Sequence, residues 1–136
     1  MRSWRGRGSV VRLLLDTVTL ILAVESPQGL SKRATAALEN PANILELSAI
    51  SLSEIAIKSA RGKLKLSDRT TRQAVEDLGL RILPYTAEHA FRLFALPPHH
   101  ADPFDRQIIA QALAEDIPVL TCDHAFDLYR GLKVIW

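Results

Sequence analysis

Val10-Val11-Arg12-Leu13-Leu14-Leu15-Asp16-Thr17 is the stretch on which the fold turns. Apart from Arg12, Val10–Leu15 is apolar without alternation, as expected of a strand covered on both faces. It stops on an acid. Thr17–Val24 reads as a short helix broken by Ser26-Pro27, and Ser31–Glu39 as a second one stopped by Asn40-Pro41. Ile44–Ile50 is the next strand candidate, followed by a helix over Leu52–Arg61 with Gly62 as its C-terminal cap.

The alternation continues to the end of the chain. Asp68–Leu78 reads as a helix with Ala74, Val75 and Leu78 on one face, and Arg81–Leu83 as a short strand. Ala87, Ala90, Phe91, Phe94 and Ala95 have the spacing of an amphipathic helix. After the Pro97–His100 turn come a long helix over Pro103–Ala114, a strand over Pro118–Cys122, a short helix over His124–Tyr129 and a last strand over Lys133–Ile135. Strands alternating with helices predict an α/β fold, a parallel sheet with helices on both faces. Right-handed crossovers then collect the carboxyl ends of the strands along one edge.

With 136 residues, 48% hydrophobic and 24% charged, the chain fits one compact domain over residues 10–136, about 14 Å in radius of gyration. Cys122 is the only cysteine, which precludes an intrachain disulfide and suits a reducing, cytoplasmic setting. No run approaches a membrane span. Arg12 and Asp16 interrupt the apolar stretch that would make a signal peptide of the basic start. Residues 1–9 read as a disordered basic tail, with an arm that touches nucleic acid as the alternative. The net charge is +2, yet Arg2, Arg5, Arg7 and Arg12 have no acid among them. Without those four, thirteen bases face fifteen acids, so charge predicts no broad nucleic-acid face.

Four acids fall where a strand ends or a helix begins: Asp16, Glu54, Asp105 and Asp123. Each also reads as a helix-terminal residue. Ser51-x-x-Glu54 matches a capping box, Asp102-Pro103 an N-cap with proline at the first helical position, and Asp16 and Asp123 are N-cap candidates. Collectively they suggest more. Ligand sites of open parallel sheets lie outside the carboxyl ends of the strands. Carboxylates that converge there repel one another unless a cation joins them, and hard oxygen ligands suit Mg²⁺ or Mn²⁺. Such ions serve phosphodiester hydrolysis. Spacing alone leaves both readings open.

Leu13-Leu14-Leu15-Asp16-Thr17, Ser51-Leu52-Ser53-Glu54-Ile55-Ala56-Ile57-Lys58, Gly62-Lys63-Leu64, Asp102-Pro103-Phe104-Asp105-Arg106 with Ile108-Ile109-Ala110-Gln111-Ala112, and Leu120-Thr121-Cys122-Asp123 occur in this order. The ordered set resembles the PIN-domain ribonucleases, in particular VapC-type toxins of bacterial toxin–antitoxin pairs. It runs from about Val10 to Trp136. The resemblance implies a PIN-like three-layer α/β/α sandwich with a central parallel sheet, and a Mg²⁺- or Mn²⁺-dependent endoribonuclease acting on single-stranded RNA or exposed RNA loops. It implies that Asp16, Glu54 and Asp105 hold the principal cation and that Asp123 completes a second or outer site. Thr17 and Thr121 then support the acids or their waters, Asp102 stays a helix cap, and Arg106 is a candidate phosphate contact or simply an exposed arginine. Relatives often carry His where this chain has Val18, and Trp where it has Leu22 and Ser53, which bears on substrate choice and packing. The resemblance further implies a homodimer and a VapB-like antitoxin whose tail reaches the acidic site. A mean hydropathy of +0.08 independently favours a covered apolar face.

Other chemistries find less support. His89, His99, His100 and His124 lack a zinc framework, and Cys122 has no marked base, so a buried structural thiol is expected. No phosphate-cradling glycine motif is present, and aromatic residues are too scattered for an RNA-stacking platform. Trp4 and Trp136 read as tail and final-strand packing residues. The rival functions are a housekeeping PIN-domain RNase, a catalytically silent PIN-like binding module, and a phosphoryl-handling α/β protein. The last lacks the second aspartate of a DxD start after Asp16.

Overall fold

A computed structural model describes residues 11–136; the basic tail over 1–9 and Val10 lie outside the described residues. The elements are β1 (Val11–Leu15), α1 (Thr17–Glu25), α2 (Lys32–Glu39), β2 (Asn43–Ser48), α3 (Ala49–Ala60), α4 (Asp68–Asp77), β3 (Arg81–Leu83), α5 (Ala87–Arg92), α6 (Pro103–Glu115), β4 (Val119–Leu120) and β5 (Val134–Ile135). Short 3₁₀ turns cover Pro27–Gly29, Leu93–Ala95 and His124–Leu128. All strand pairs are parallel, in the order β3-β2-β1-β4-β5. The fold is the expected α/β sandwich with a central parallel sheet.

Alternation along β1 divides the core in two. Leu13 and Leu15 point, with Leu45 and Leu47 of β2, into a layer made with Leu20, Ala34, Ile55 and Ala74 of α1–α4. Leu14 points the other way, against Ile108, Ile109 and Ala112 of α6 and Phe126 and Tyr129 beyond β4. Trp136 packs against the first layer at the end of the chain. Because both faces are covered, the central strand can be apolar throughout.

Arg12 is the exception, and its partners explain it. Its guanidinium grips the buried Glu46 carboxylate at 2.5 and 3.0 Å and reaches Glu115 Oε1 at 3.2 Å. Glu115 in turn meets His89 Nε2 at 3.0 Å. A buried carboxylate survives only when its charge is met and its lone pairs are used, and here α6, α5 and two strands share that task.

Helix ends follow local chemistry. Gly62 closes α3 in the left-handed region at φ +73, where a side chain on the backbone is disfavoured, and Lys63 N–H donates back to Lys58 C=O at 2.9 Å. Two expectations need correction. Helix α3 begins at Ala49, capped by Ser48, whose Oγ accepts from Ile50 N–H at 2.9 Å. Ser51 is therefore inside the first turn and caps nothing, and Glu54 sits in the second turn. The helix over 87–95 also turns its aromatic face outward: Phe91 is 64% and Phe94 89% exposed. His89 is the inward residue, because its Nδ1 accepts Thr86 N–H at 3.0 Å while Nε2 is held by Glu115. That double anchor sets the rotation of α5, and apolar spacing does not.

Among the described residues, no helix is long and apolar enough to cross a membrane.

Candidate active site

Strand order places β1 at the switch point, with β2 on one side and β4 on the other. In such sheets the crevice lies at the carboxyl end, and Asp16 stands there as the residue after β1. It is 2% exposed. As N-cap of α1, its Oδ1 accepts from Thr19 N–H at 2.9 Å. Thr19 Oγ1 lies 2.5 Å from the same oxygen and 2.8 Å from Leu120 C=O. Thr121 Oγ1 donates to Oδ2 at 2.6 Å. Burial pushes the Asp16 carboxyl above the ordinary carboxylate range, the hydrogen bonds from Thr121 and Thr19 oppose this, and the charge of Asp123 adds to it.

Glu54 reaches the same end from α3. Ser51, three residues earlier on the same helix face, takes the Thr17 hydroxyl at 2.8 Å, which holds α3 against the start of α1. Glu54 is 5% exposed; its Oε2 pairs with Lys58 Nζ at 2.5 Å, while Oε1 is buried with no partner. An orphaned carboxylate oxygen is costly unless something fills its lone pairs.

Asp105 comes from the first turn of α6, whose N-cap is Asp102, accepting from Phe104 N–H at 2.8 Å and more distantly from Asp105 N–H at 3.4 Å. Its carboxyl is pushed up to about 7, by burial first and then by the charges of Asp102, Glu54, Asp16 and Asp123. All three other predicted acids act on this one group. Acids 18 to 89 residues from Asp105 in the chain thus bear on its charge, although Asp16 and Glu54 are not in the close cluster that Asp105 forms.

Asp123 caps the turn after β4, its Oδ1 accepting from Ala125 N–H at 2.9 Å. Its own N–H donates to Thr121 Oγ1 at 3.0 Å, so one hydroxyl links Asp123 to Asp16. Asp123 Oδ2 faces His100 Nε2 at 3.2 Å, and Asp105 Oδ2 lies 4.0 Å from the same nitrogen. His100, Asp105 and Asp123 each offer a ligand atom within 4.8 Å of the others, the one such trio among the described residues.

Several predicted supporting roles change. Thr17 bonds Ser51 and not an acid; Thr19 takes the supporting place beside Thr121. Capping geometry carries the signal for Thr19, since an N-cap side chain meets the residue three positions on. Arg106 donates to Pro97 C=O at 2.9 Å and Leu96 C=O at 3.2 Å, so its guanidinium straps the loop before α6 instead of standing free for phosphate. Cys122 is exposed because β4 ends two residues earlier. Partial desolvation and the charge of Asp16 hold its thiol up, against a thiolate nucleophile. His100 was missed because adjacent histidines in a proline-rich loop carry no spacing signal. Lys58 enters the sequence pattern only as the last residue of the Ser51–Lys58 stretch, with no role of its own.

Residues 13–132 match the PIN domain. The chain belongs to the PIN-domain family. The sequence matches no curated protein at a significant level. Solved structures resemble this PIN domain along nearly its whole length. VapBC2 from Rickettsia felis, bound to a promoter DNA fragment, superposes with a TM-score of 0.69 at 18% identity, covering 92% of this chain and 98% of that one. DNA-bound VapBC from Salmonella typhimurium gives 0.69 at 18%, covering 92% and 97%. VapBC-5 from Mycobacterium tuberculosis, of the VapBC family of toxin–antitoxin systems, gives 0.59 at 18%, covering 92% and 98%. At such identities the likeness establishes the fold of this PIN domain.

Proposed function

We infer that this PIN domain is an endoribonuclease that depends on Mg²⁺ or Mn²⁺, hydrolyses phosphodiester bonds in RNA, and acts as the toxin of a VapBC-type toxin–antitoxin pair. The observation that supports this reading is that the charges of Glu54, Asp16 and Asp123 all bear on Asp105, which burial first and these neighbours then push up to about 7, while Asp105 and Asp123 bring ligand oxygens within 4.8 Å of each other.

The donors fit a hard divalent cation. They are carboxylate oxygens, and one of them, Glu54 Oε1, is buried without a partner. Asp16, Glu54, Asp105 and Asp123 would hold the ion. When bound, it supplies Lewis-acid chemistry, making water a nucleophile near neutral pH and offsetting charge that develops on phosphate oxygens. The chain's own residues prepare that site. Thr19 and Thr121 fix both oxygens of Asp16, the backbone N–H of Ala125 orients Asp123, and Lys58 balances part of the charge of Glu54. The Cys122 thiol, held up by partial desolvation and the charge of Asp16, is poorly suited to act as a covalent nucleophile.

The partner reading rests on shape. Between α3 and α4 runs an apolar groove of about 900 Å³, lined by Leu52, Ile55, Ala56, Leu66, Val75 and Leu80 among others. It suits the apolar face of a VapB-like antitoxin helix. Phe91 and Phe94, stacked on each other at 6.3 Å, offer a second apolar surface suited to a homodimer. A cytoplasmic location accords with a lone cysteine.

Purified protein should cut RNA with Mg²⁺ or Mn²⁺ and stop with chelator; cutting that persists in excess EDTA overturns the metal dependence. Asp16→Asn should abolish cleavage and keep the fold, because asparagine caps helices as well as aspartate does. Full activity in that variant removes Asp16 from the site. Induced expression should arrest growth and the neighbouring reading frame should relieve it, whereas normal growth with an active nuclease points to a housekeeping RNase.

A further inference from the structure

His100 lies in the loop before α6, yet all its side-chain partners come from the segment after β4 or from α6. Nε2 faces Asp123 Oδ2 at 3.2 Å, and Nδ1 faces Tyr129 Oη at 3.3 Å. The ring stacks on Tyr129 with centroids 5.6 Å apart and 18° between planes, and meets Phe126 edge-on at 5.1 Å. Phe126 and Tyr129 are buried, and the imidazole itself is only 9% exposed. The ring is therefore clamped on one face, on one edge and at both nitrogens.

The clamp sets the hydrogen bonds. The Asp123 carboxylate can only accept, so the neutral ring carries its proton on Nε2 and donates it to Oδ2. Nδ1 is then an acceptor, and the Tyr129 hydroxyl donates to it. A rigid donor from a packed ring matters at Asp123 in particular, because this carboxylate is 42% exposed and is otherwise held only through Oδ1. Without His100, rotation of the carboxylate would carry Oδ2 away from Asp105.

We propose that His100 is a positioning residue of the acidic site, a Tyr129–His100–Asp123 relay that holds Asp123 Oδ2 beside Asp105 so that the two carboxylates meet a divalent cation together. The assignment rests on the metal-dependent reading above and adds to it a residue outside the acidic set. Groups that hydrogen-bond a metal-binding carboxylate govern affinity although they do not themselves bind the ion.

The test is Mn²⁺ binding, measured on the full chain by electron paramagnetic resonance titration without RNA. His100→Phe keeps the stacked ring and loses the donor, and should weaken Mn²⁺ about tenfold or more. His100→Gln places an amide N–H near the position of Nε2 and should recover to within about threefold of the parent. Tyr129→Phe leaves the packing intact and frees Nδ1, and should weaken Mn²⁺ about two- to fivefold; it carries the test if His100→Phe does not fold. Parent-like affinity in His100→Phe, or in Tyr129→Phe where that variant stands in, overturns the relay, as does a His100→Gln protein as weak as His100→Phe. A parent protein that binds no Mn²⁺ overturns the metal-site reading itself, and the relay with it, so the two failures are told apart by the parent alone.

Discussion

The Thr121 hydroxyl donates to Asp16 Oδ2 across 2.6 Å, between residues 105 apart in the chain. It ties the carboxyl end of β4 to that of β1, the two strands between which the switch point falls. Thr121 Oγ1 also accepts Asp123 N–H, so one side chain sets the spacing of two acids.

Thr121→Val keeps the shape and removes both bonds. A hydrogen bond to a charged or buried carboxyl contributes about 1.5–3 kcal/mol, and a loss of that size is expected in urea unfolding of the metal-free protein. A cost below about 0.5 kcal/mol would show that the bond does not hold the site together.

Asp105 gives a pH dependence with a definite sign. Its folded carboxyl titrates at about 7, above the ordinary value of 3.8, chiefly because it is buried among other acids. Between those limits the folded state keeps a proton that the unfolded chain has released, so stability falls as pH rises. In EDTA, the urea midpoint should decline from about pH 4 to about pH 7 and level off beyond. Asp105→Asn should lessen that decline, the raised Asp16 carboxyl keeping its own share, and leave the protein more stable than its parent above neutrality. A midpoint that rises over the same window contradicts the crowded site.

Lys58 neutralises Glu54 from one turn along α3, at 2.5 Å, with 40% of its own side chain exposed. Lys58→Met keeps the stem and removes the charge. Metal-free protein should lose about 1 kcal/mol, the upper end for a partly exposed pair. Because Nζ no longer competes for Oε2, Mn²⁺ should bind more tightly and restore the lost stability. Unchanged Mn²⁺ affinity would place Glu54 Oε2 outside the ion's reach.

Much of this is legible in the amino-acid order. The apolar run ending on Asp16, the helix–strand alternation and the Asp102-Pro103 cap each depend on neighbours close in sequence, and each stands in the fold. Failures occurred where a competing partner overrode the local pattern. Ser51 has the spacing of a capping box, but Ser48, three residues earlier at the end of β2, captures Ile50 N–H, and Ser51 is taken by Thr17. Phe91 and Phe94 have inward spacing, but His89, anchored to Glu115, rotates them out. Arg106 has the position of a phosphate contact or an exposed arginine, but the carbonyls of Leu96 and Pro97 claim it.

By itself, then, the amino-acid order determined that strands and helices alternate and that acids stand at their junctions, because caps, turns and hydrophobic periods act over a few residues. Only the folded sheet decided which acids face one another, that Thr121 supports Asp16, that Glu54 retains an oxygen without a partner, and that His100 reaches Asp123. Those contacts join segments up to 105 residues apart. They come into being when parallel pairing puts β1 beside β4, a long-range event that no local window contains.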